Sequence, residues 1–347
     1  MDKKSLLFER GLSEAKPESR RRLRGSRLGP TSSGLARTVK ENKKRVAVLM
    51  GGPSSEREIS FKSGNAVCQA LSDSDYQPIA IDAVDDWEDL LKDAKPLVAF
   101  IALHGKFGED GTIQAILEDM GILYTGSGVS ASRLAIDKVG SRKIFQKAGI
   151  PVPEYIVVKK PSYEFDYKII GFPMVIKPAL QGSSIGLTII ENKSQIKKAM
   201  DLAYVHDVKV LAEKFIKGDE LTVGILDDNP LPVIKIVPSR KFYDYKAKYT
   251  SGDTQYLVPA PVDTNFYKKA QETALAAHNA IGCRDFSRVD MILGADGVIR
   301  VLEVNSIPGL TSTSLLPKSA AVVGLSFKDL CIKIIELAIK NGPSRKK

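Results

Sequence analysis

The chain has 347 residues, 43% apolar and 27% charged, with 51 Lys/Arg against 41 Asp/Glu. That length can bury two or three separate cores, and no apolar run reaches the roughly 20 residues that span a bilayer. Three scattered cysteines (Cys68, Cys283, Cys331) have neither disulfide nor metal spacing and fit a reducing cytoplasm, and three histidines exclude a His-rich metal site.

The basic charge is local. Up to Arg45 there are 14 Lys/Arg and 5 Asp/Glu; beyond it there are 37 and 36. Residues 1–44 therefore form a basic tail on a near-neutral body. Its second half, SRRRLRGSRLGPTSSGLARTVKENKKR, has little apolar periodicity, so disorder is expected. No apolar h-region marks a secretory signal, and five acids argue against a transit peptide. The tail reads as an accessory segment, or a mis-called start, ahead of the folded part. A tether to nucleic acid or a membrane is the less favoured reading.

Residues 46–50 are a buried strand, 51–56 a glycine-rich loop and 58–71 a helix. Further strands are expected at 78–81 and 97–103. Strand–helix alternation predicts an α/β fold with a doubly wound parallel sheet over 45–128. Ligands of such sheets bind beyond the carboxyl ends of the strands. Glu56 follows the first strand and His104 the third, so both can reach one crevice. A packing role for His104 and a helix-dipole role for Glu56 remain open.

A second unit, 129–214, starts with a helix over 138–148 closed by Gly149. Strands follow at 174–177, 185–190 and 208–213, with a helix at 194–203. The third unit, 215–347, has strands at 221–226 and 231–237 and a polar, Tyr/Lys-rich mobile loop at 238–261. A helix at 265–281, a hairpin and a closing helix at 327–339 complete it.

The hairpin carries the chemistry. Its strands, 286–293 and 298–304, flank Gly294-Ala295-Asp296-Gly297, and Asp-Gly is a strong turn signal. If Asp296-Gly297 form the turn, Asp290 lies opposite Glu303 and Arg288 opposite Asn305. Opposed side chains sit roughly 5 Å apart, where like charges repel. Two carboxylates and an amide so placed suit Mg²⁺ that also holds nucleotide phosphates; the alternative is a surface hairpin with its acids in water. Upstream, Lys177 ends a strand and Gly182-Ser183-Ser184 follow in a loop. Glycine lets backbone N–H groups approach phosphate oxygens, and serine hydroxyls add donors. The spacing is neither a Walker loop nor GxGxxG.

Together the motifs resemble the ATP-grasp superfamily and, within it, the D-alanine–D-alanine ligases. The likeness spans 45–341 and rests on GGPSSEREIS (51–60), LHGKFGEDGTIQ (103–114), YTGSG (124–128), DK (137–138), IKPALQGSSIG (176–186), FYDYKAKY (242–249), SRVD (287–290) and LEVNSIPGLTSTS (302–314). It implies two ATP-grasp subdomains, α+β in character, after the parallel sheet. It also implies ATP-dependent joining of two D-alanines through an acyl phosphate, for peptidoglycan synthesis, in a cytoplasmic homodimer.

By that resemblance Asp290, Glu303 and Asn305 hold two Mg²⁺ (or Mn²⁺). Lys138, Lys177 and Lys248 contact phosphates, with Ser183 and Ser184 in the cover loop. Glu213, Lys214, Ile216, Glu220 and Phe242 surround adenine and ribose. Glu56 pairs with the first D-alanine's ammonium beside His104, while Ser183 and Tyr249 link to Glu56 and close the loop. Arg288 and the Gly309 N–H stabilise the tetrahedral oxyanion, and Ser314 and Leu315 hold the second carboxylate. Tyr249 after lysine points to a dipeptide product rather than D-alanyl-D-lactate, and a D-alanyl-D-lactate or D-alanyl-D-serine ligase is the alternative within the family. Gln181 departs from the family pattern, where many relatives carry an acid, and Ser306-Ile307 are unusual inside Asn-x-x-Pro-Gly. Base stacking on the 242–249 aromatics, and a non-catalytic basic-tailed binding protein, are the readings of another class.

Overall fold

The structure, a computed structural model, describes residues 43–238 and 254–342. Residues 1–42 of the basic tail and the expected contacts of Phe242, Lys248 and Tyr249 lie outside the described residues; Lys44, expected to end the tail, opens the first strand.

Strand β1 (Lys44–Met50) runs parallel to β2 (Tyr76–Asp82) on one side and β3 (Val98–Ile101) on the other. All five residues from Val46 to Met50 are buried, because successive side chains enter opposite cores. Val46 and Val48 meet Val67 and Leu71 of helix α1 (Arg57–Ser72). Ala47 and Leu49 meet Trp87 and Leu91 of α2 (Trp87–Ala94) and Ile113 and Leu117 of α3 (Thr112–Asp119). Helices thus cover both faces, the doubly wound arrangement that the alternation predicts.

The next unit opens with α4 (Val129–Ile136) and α5 (Lys138–Lys147). Asp137 separates them, and its carboxylate accepts the N–H groups of Val139 and Gly140, capping α5. Strands β4 (Tyr155–Lys159), β5 (Met174–Pro178), β6 (Thr188–Ile190) and β7 (Lys209–Lys214) form an antiparallel sheet in the order β4-β7-β5-β6. The helices α6 (Tyr167–Ile170) and α7 (Ile196–Tyr204) bury Ile170, Met200 and Ala203 against Ile176 and Val210 on one face. On the other, Val139 of α5 meets Leu211. The strand expected at 185–190 keeps only its last three residues. Ser183 and Ser184 have φ of 52° and 58° and Gly186 has 73°, left-handed values that no strand accommodates.

In the third unit β8 (Gly218–Leu226) is central. It pairs with β9 (Asn229–Pro230), β10 (Ile234–Val237) and β12 (Phe286–Gly294), while β11 (Gln255–Leu257) and β13 (Ile299–Asn305) are the edges. Helix α8 (Thr264–Ala280) presents Ala270, Ala274 and Ala277 to Val223, Val289 and Val301. Two helices end the described chain, α9 (Leu315–Val322) and α10 (Phe327–Asn341). Leu330, Ile334 and Leu337 of α10 enter the core of Val46, Val48 and Phe100, so the last helix completes the first unit. No described helix is long and apolar enough to cross a membrane.

The hairpin turn differs from the expected one. Arg288 does face Asn305 and Asp290 does face Glu303, but the register shifts after Asp290 so that Met291 faces Val301. Leu302 is the extra residue of a bulge. The loop holds three residues, Ala295 to Gly297, with Gly297 at φ 73° and Gly294 N–H bonded to Val298 O at 3.0 Å. Loop and bulge compensate, which is why a two-residue turn reading still pairs the right acids.

Candidate active site

A cavity of about 650 Å³ lies between the sheet of β5 and β7 and the sheet of β8 and β12. Lys138, Lys177 and Ser184 line it from one side, with Asp290 and Glu303 opposite. Glu213, Lys214, Ile216 and Glu220, from the β7–β8 connection and its flanks, line its end.

Lys177 is buried on β5, and its Nζ donates to Glu213 Oε1 at 2.7 Å. The other oxygen of Glu213 lies against the guanidinium of Arg142. Burial pushes the Lys177 ammonium down to about 8, although the Glu213 charge opposes this. Burial also tends to raise Glu213, yet Arg142 and Lys177 outweigh it and hold this carboxyl below the usual range. Lys138 Nζ donates to the carbonyl of Gln181 at 2.8 Å and lies 3.0 Å from Glu303 Oε2. The first residue of α5 thereby joins the serine loop to the hairpin.

Arg288 grips Asp290 with two hydrogen bonds, Nε to Oδ1 at 2.9 Å and Nη2 to Oδ2 at 2.8 Å. Thr222 Oγ1 donates to Asp290 Oδ1 at 2.6 Å, and Asn305 Nδ2 donates to Oδ2 at 3.0 Å. Asp290 is only 7% exposed, so the reading of these acids as harmlessly solvated does not fit. Among the described residues no three His, Cys, Asp or Glu side chains gather as a metal site. Two facing carboxylates plus an amide suit a hard cation whose remaining ligands come from phosphates and water.

Across the serine loop, Ser183 donates to the carboxylate of Glu56, 127 residues earlier in the chain. Glu56 is the N-cap residue of α1, but its side chain makes no capping bond. The loop, not the helix dipole, receives this acid. Gly105, at φ +70°, brings the backbone so near that a Cβ there would come within 2.6 Å of Glu56 Oε2, and its left-handed conformation favours glycine. His104 is buried, with Nε2 2.9 Å from Ser63 Oγ and Nδ1 3.4 Å from Glu109 Oε1. Both ring nitrogens face protein side chains.

Gly309 and Ser314 come together before α9. A Cβ at 309 would lie 3.0 Å from Ser314 Oγ, which also accepts the Thr311 N–H at 3.1 Å. Leu315 is the first residue of α9. Sequence reading missed Thr222 and Arg142. Thr222 carries no local signal, since only the β8–β12 register puts it opposite Asp290. Arg142 had one: it lies four residues after Lys138, on the same helical face.

The chain matches two sequence families, D-ala D-ala ligase N-terminus over 45–96 and 84–127 and D-ala D-ala ligase C-terminus over 144–336. A D-alanine--D-alanine ligase of Syntrophotalea carbinolica is 47% identical over 296 residues, covering 84% of this chain and 95% of that protein. One from Pelobacter propionicus is 45% identical over 304 residues, covering 86% and 98%. Among solved structures, the ATP complex of the Bacillus anthracis D-alanine--D-alanine ligase superposes with a TM-score of 0.78 at 34% identity, covering 87% of this chain and 99% of that one. The VanG D-Ala:D-Ser ligase of Enterococcus faecalis gives 0.73 at 33%, covering 85% and 99%. A parallel-sheet unit, two antiparallel sheets around a lysine-and-carboxylate cavity, and both family matches in order lead to one assignment: the chain belongs to the D-alanine–D-alanine ligase family.

Proposed function

We propose that the protein joins two D-alanines at the expense of ATP, giving D-alanyl-D-alanine, ADP and phosphate for peptidoglycan synthesis. The observation that carries this reading is the convergence of Lys138 and Lys177 with the facing pair Asp290 and Glu303 on one cavity. On the far side of the serine loop, the Glu56 contact of Ser183 supplies a carboxylate for an amine. Phosphoryl transfer needs cations on spread negative charge and an amine held close by.

Adenine and ribose occupy the end formed by Glu213, Lys214, Ile216 and Glu220. The phosphates extend toward Lys138 and Lys177 under Ser183 and Ser184. Asp290, Glu303 and Asn305 would hold Mg²⁺, which when bound would neutralise phosphate charge. A carboxylate oxygen of the first D-alanine attacks the γ-phosphorus, forming an acyl phosphate and releasing ADP. Glu56 holds that substrate's ammonium. The amine of the second D-alanine, its carboxylate near Ser314 and Leu315, then attacks the acyl carbon. Arg288 and the Gly309 N–H stabilise the oxyanion, and phosphate leaves. By the family resemblance Phe242, Lys248 and Tyr249, outside the described residues, would help to keep water from the acyl phosphate. The same family reading makes the protein a cytoplasmic homodimer, which light scattering on the purified protein tests.

The likeness to VanG favours one second reading, D-serine as the second substrate. Purified protein with ATP, Mg²⁺ and D-alanine, alone or with D-serine or D-lactate, decides between them by phosphate release and product mass. Dipeptide from D-alanine alone is expected. Phosphate release that requires another acceptor would overturn the product assignment.

A further inference from the structure

Arg142 is the largest fully buried side chain of the described residues; it does not itself line the cavity but lies behind its wall, against Pro153, Leu302 and Glu213. It stands on α5 one turn after Lys138. Its Nη1 donates to Pro153 O at 3.3 Å, its Nη2 to Leu302 O at 3.5 Å, and its guanidinium stacks 5.3 Å from the Tyr155 ring centre. Leu302 is the bulge residue beside Glu303. The same guanidinium faces one oxygen of Glu213, whose other oxygen takes Lys177.

A buried carboxylate paired with one lysine is a neutral, tightly held unit. Phosphates approaching that lysine must compete with the carboxylate at low dielectric. A second, permanent cation changes this, because arginine cannot lose its proton. Arg142, Glu213 and Lys177 together carry one net positive charge, and the carboxylate stays compensated when Lys177 turns toward another anion. We propose that Arg142 is a positioning residue for nucleotide binding: it is the counter-charge that lets Glu213 orient Lys177 without sequestering it from the phosphates of ATP. The inference rests on the nucleotide reading above.

The charged groups facing Lys177 are Glu213 from β7 and Arg142 and Lys138 from α5. Both α5 cations push its proton off, so removing one of them moves Lys177 to a higher pKa. The experiment compares the wild type with Arg142→Gln and Arg142→Lys by calorimetric ATP binding and by kcat and KM for ATP across pH. Arg142→Gln should raise the KM for ATP at neutral pH by about tenfold, the scale of one charge-assisted contact. Its kcat should stay within about threefold, because the hairpin is intact. The alkaline limb of kcat/KM for ATP should move to higher pH. Arg142→Lys restores the charge and should return both quantities toward wild type. An Arg142→Gln enzyme with unchanged KM, or with a raised KM and an unmoved limb, would overturn the proposal. If Arg142→Gln does not fold, Arg142→Lys decides: a loss of ATP binding of tenfold or more with the charge retained also overturns it. A wild type that binds no ATP would instead remove the nucleotide reading itself.

Discussion

Arg288 binds both carboxylate oxygens of Asp290, two residues further along the same strand, at 2.9 and 2.8 Å. The side chain expected to meet the reacting carbonyl therefore sits directly on an expected metal ligand. Any cation that draws on Asp290 loosens this clamp, so metal loading and the availability of Arg288 are linked.

Asp290→Asn and Glu303→Gln should each abolish ligation. The two should differ in stability. Repulsion between the facing acids suggests that removing one would stabilise the protein, but Arg288, Thr222 and Asn305 already compensate Asp290. Asp290→Asn should then cost about 2 kcal/mol, the range for a charged hydrogen-bond partner lost at a mostly buried site. Denaturant melts of both variants without metal check this; a stabilised Asp290→Asn would contradict it.

Arg288→Ala should slow dipeptide formation by roughly a hundredfold or more, the scale of a lost oxyanion donor. ATP binding should change far less, since the lysines hold the phosphates. Lys should substitute poorly, being a point charge on a flexible stem. Parallel ATP titration and steady-state turnover separate the outcomes. Collapsed binding with turnover preserved at saturation would make Arg288 a nucleotide clamp.

Much of the site was legible because its residues fall at strand ends and in one hairpin, where period-two spacing and turn chemistry fix neighbours. The Asp290–Glu303 and Arg288–Asn305 pairings are of this kind. Thr222 and the Arg142–Glu213 contact depend on strand order and helix docking, which no local pattern encodes. The helices α2, α3, α4 and α9 were not predicted as elements; each has eight residues, too few turns to establish a period. For Glu56 the sequence left two readings, dipole partner or amine partner; the contact with Ser183, 127 residues later, is tertiary and no local pattern encodes it.

Removing residues 1–40 should leave activity and Tm nearly unchanged. The family match begins at residue 45, and among the described residues the first buried side chain is Val46. Matched preparations with and without the segment provide the test; a large drop in either quantity would make it part of the folded unit.

His278 gives a pH prediction. It is fully buried on α8, with Nδ1 2.7 Å from Ser287 Oγ on β12 and Nε2 3.7 Å from Asp228. Burial pushes its pKa down to about 4, with Asp228 opposing. The folded value lies below the ordinary one of about 6.5. The stability from keeping the ring neutral is therefore complete above about 6.5 and is lost as pH falls toward 4. Melting temperature should drop through that window, and His278→Gln should flatten that part of the curve.

Helix α10 has a consequence for how the chain is made. Leu330, Ile334 and Leu337 fill the core that Val46, Val48 and Phe100 begin. During synthesis the first three strands are complete by Ile101, more than two hundred residues before the helix that starts at Phe327. That face of the sheet, with α1 alone packed on it through Val67 and Leu71, must wait half-covered while both later units are being translated. The first folded unit to leave the ribosome is then among the last to finish folding, and a ribosome stalled before residue 327 would display a sheet with part of one face still open to chaperones.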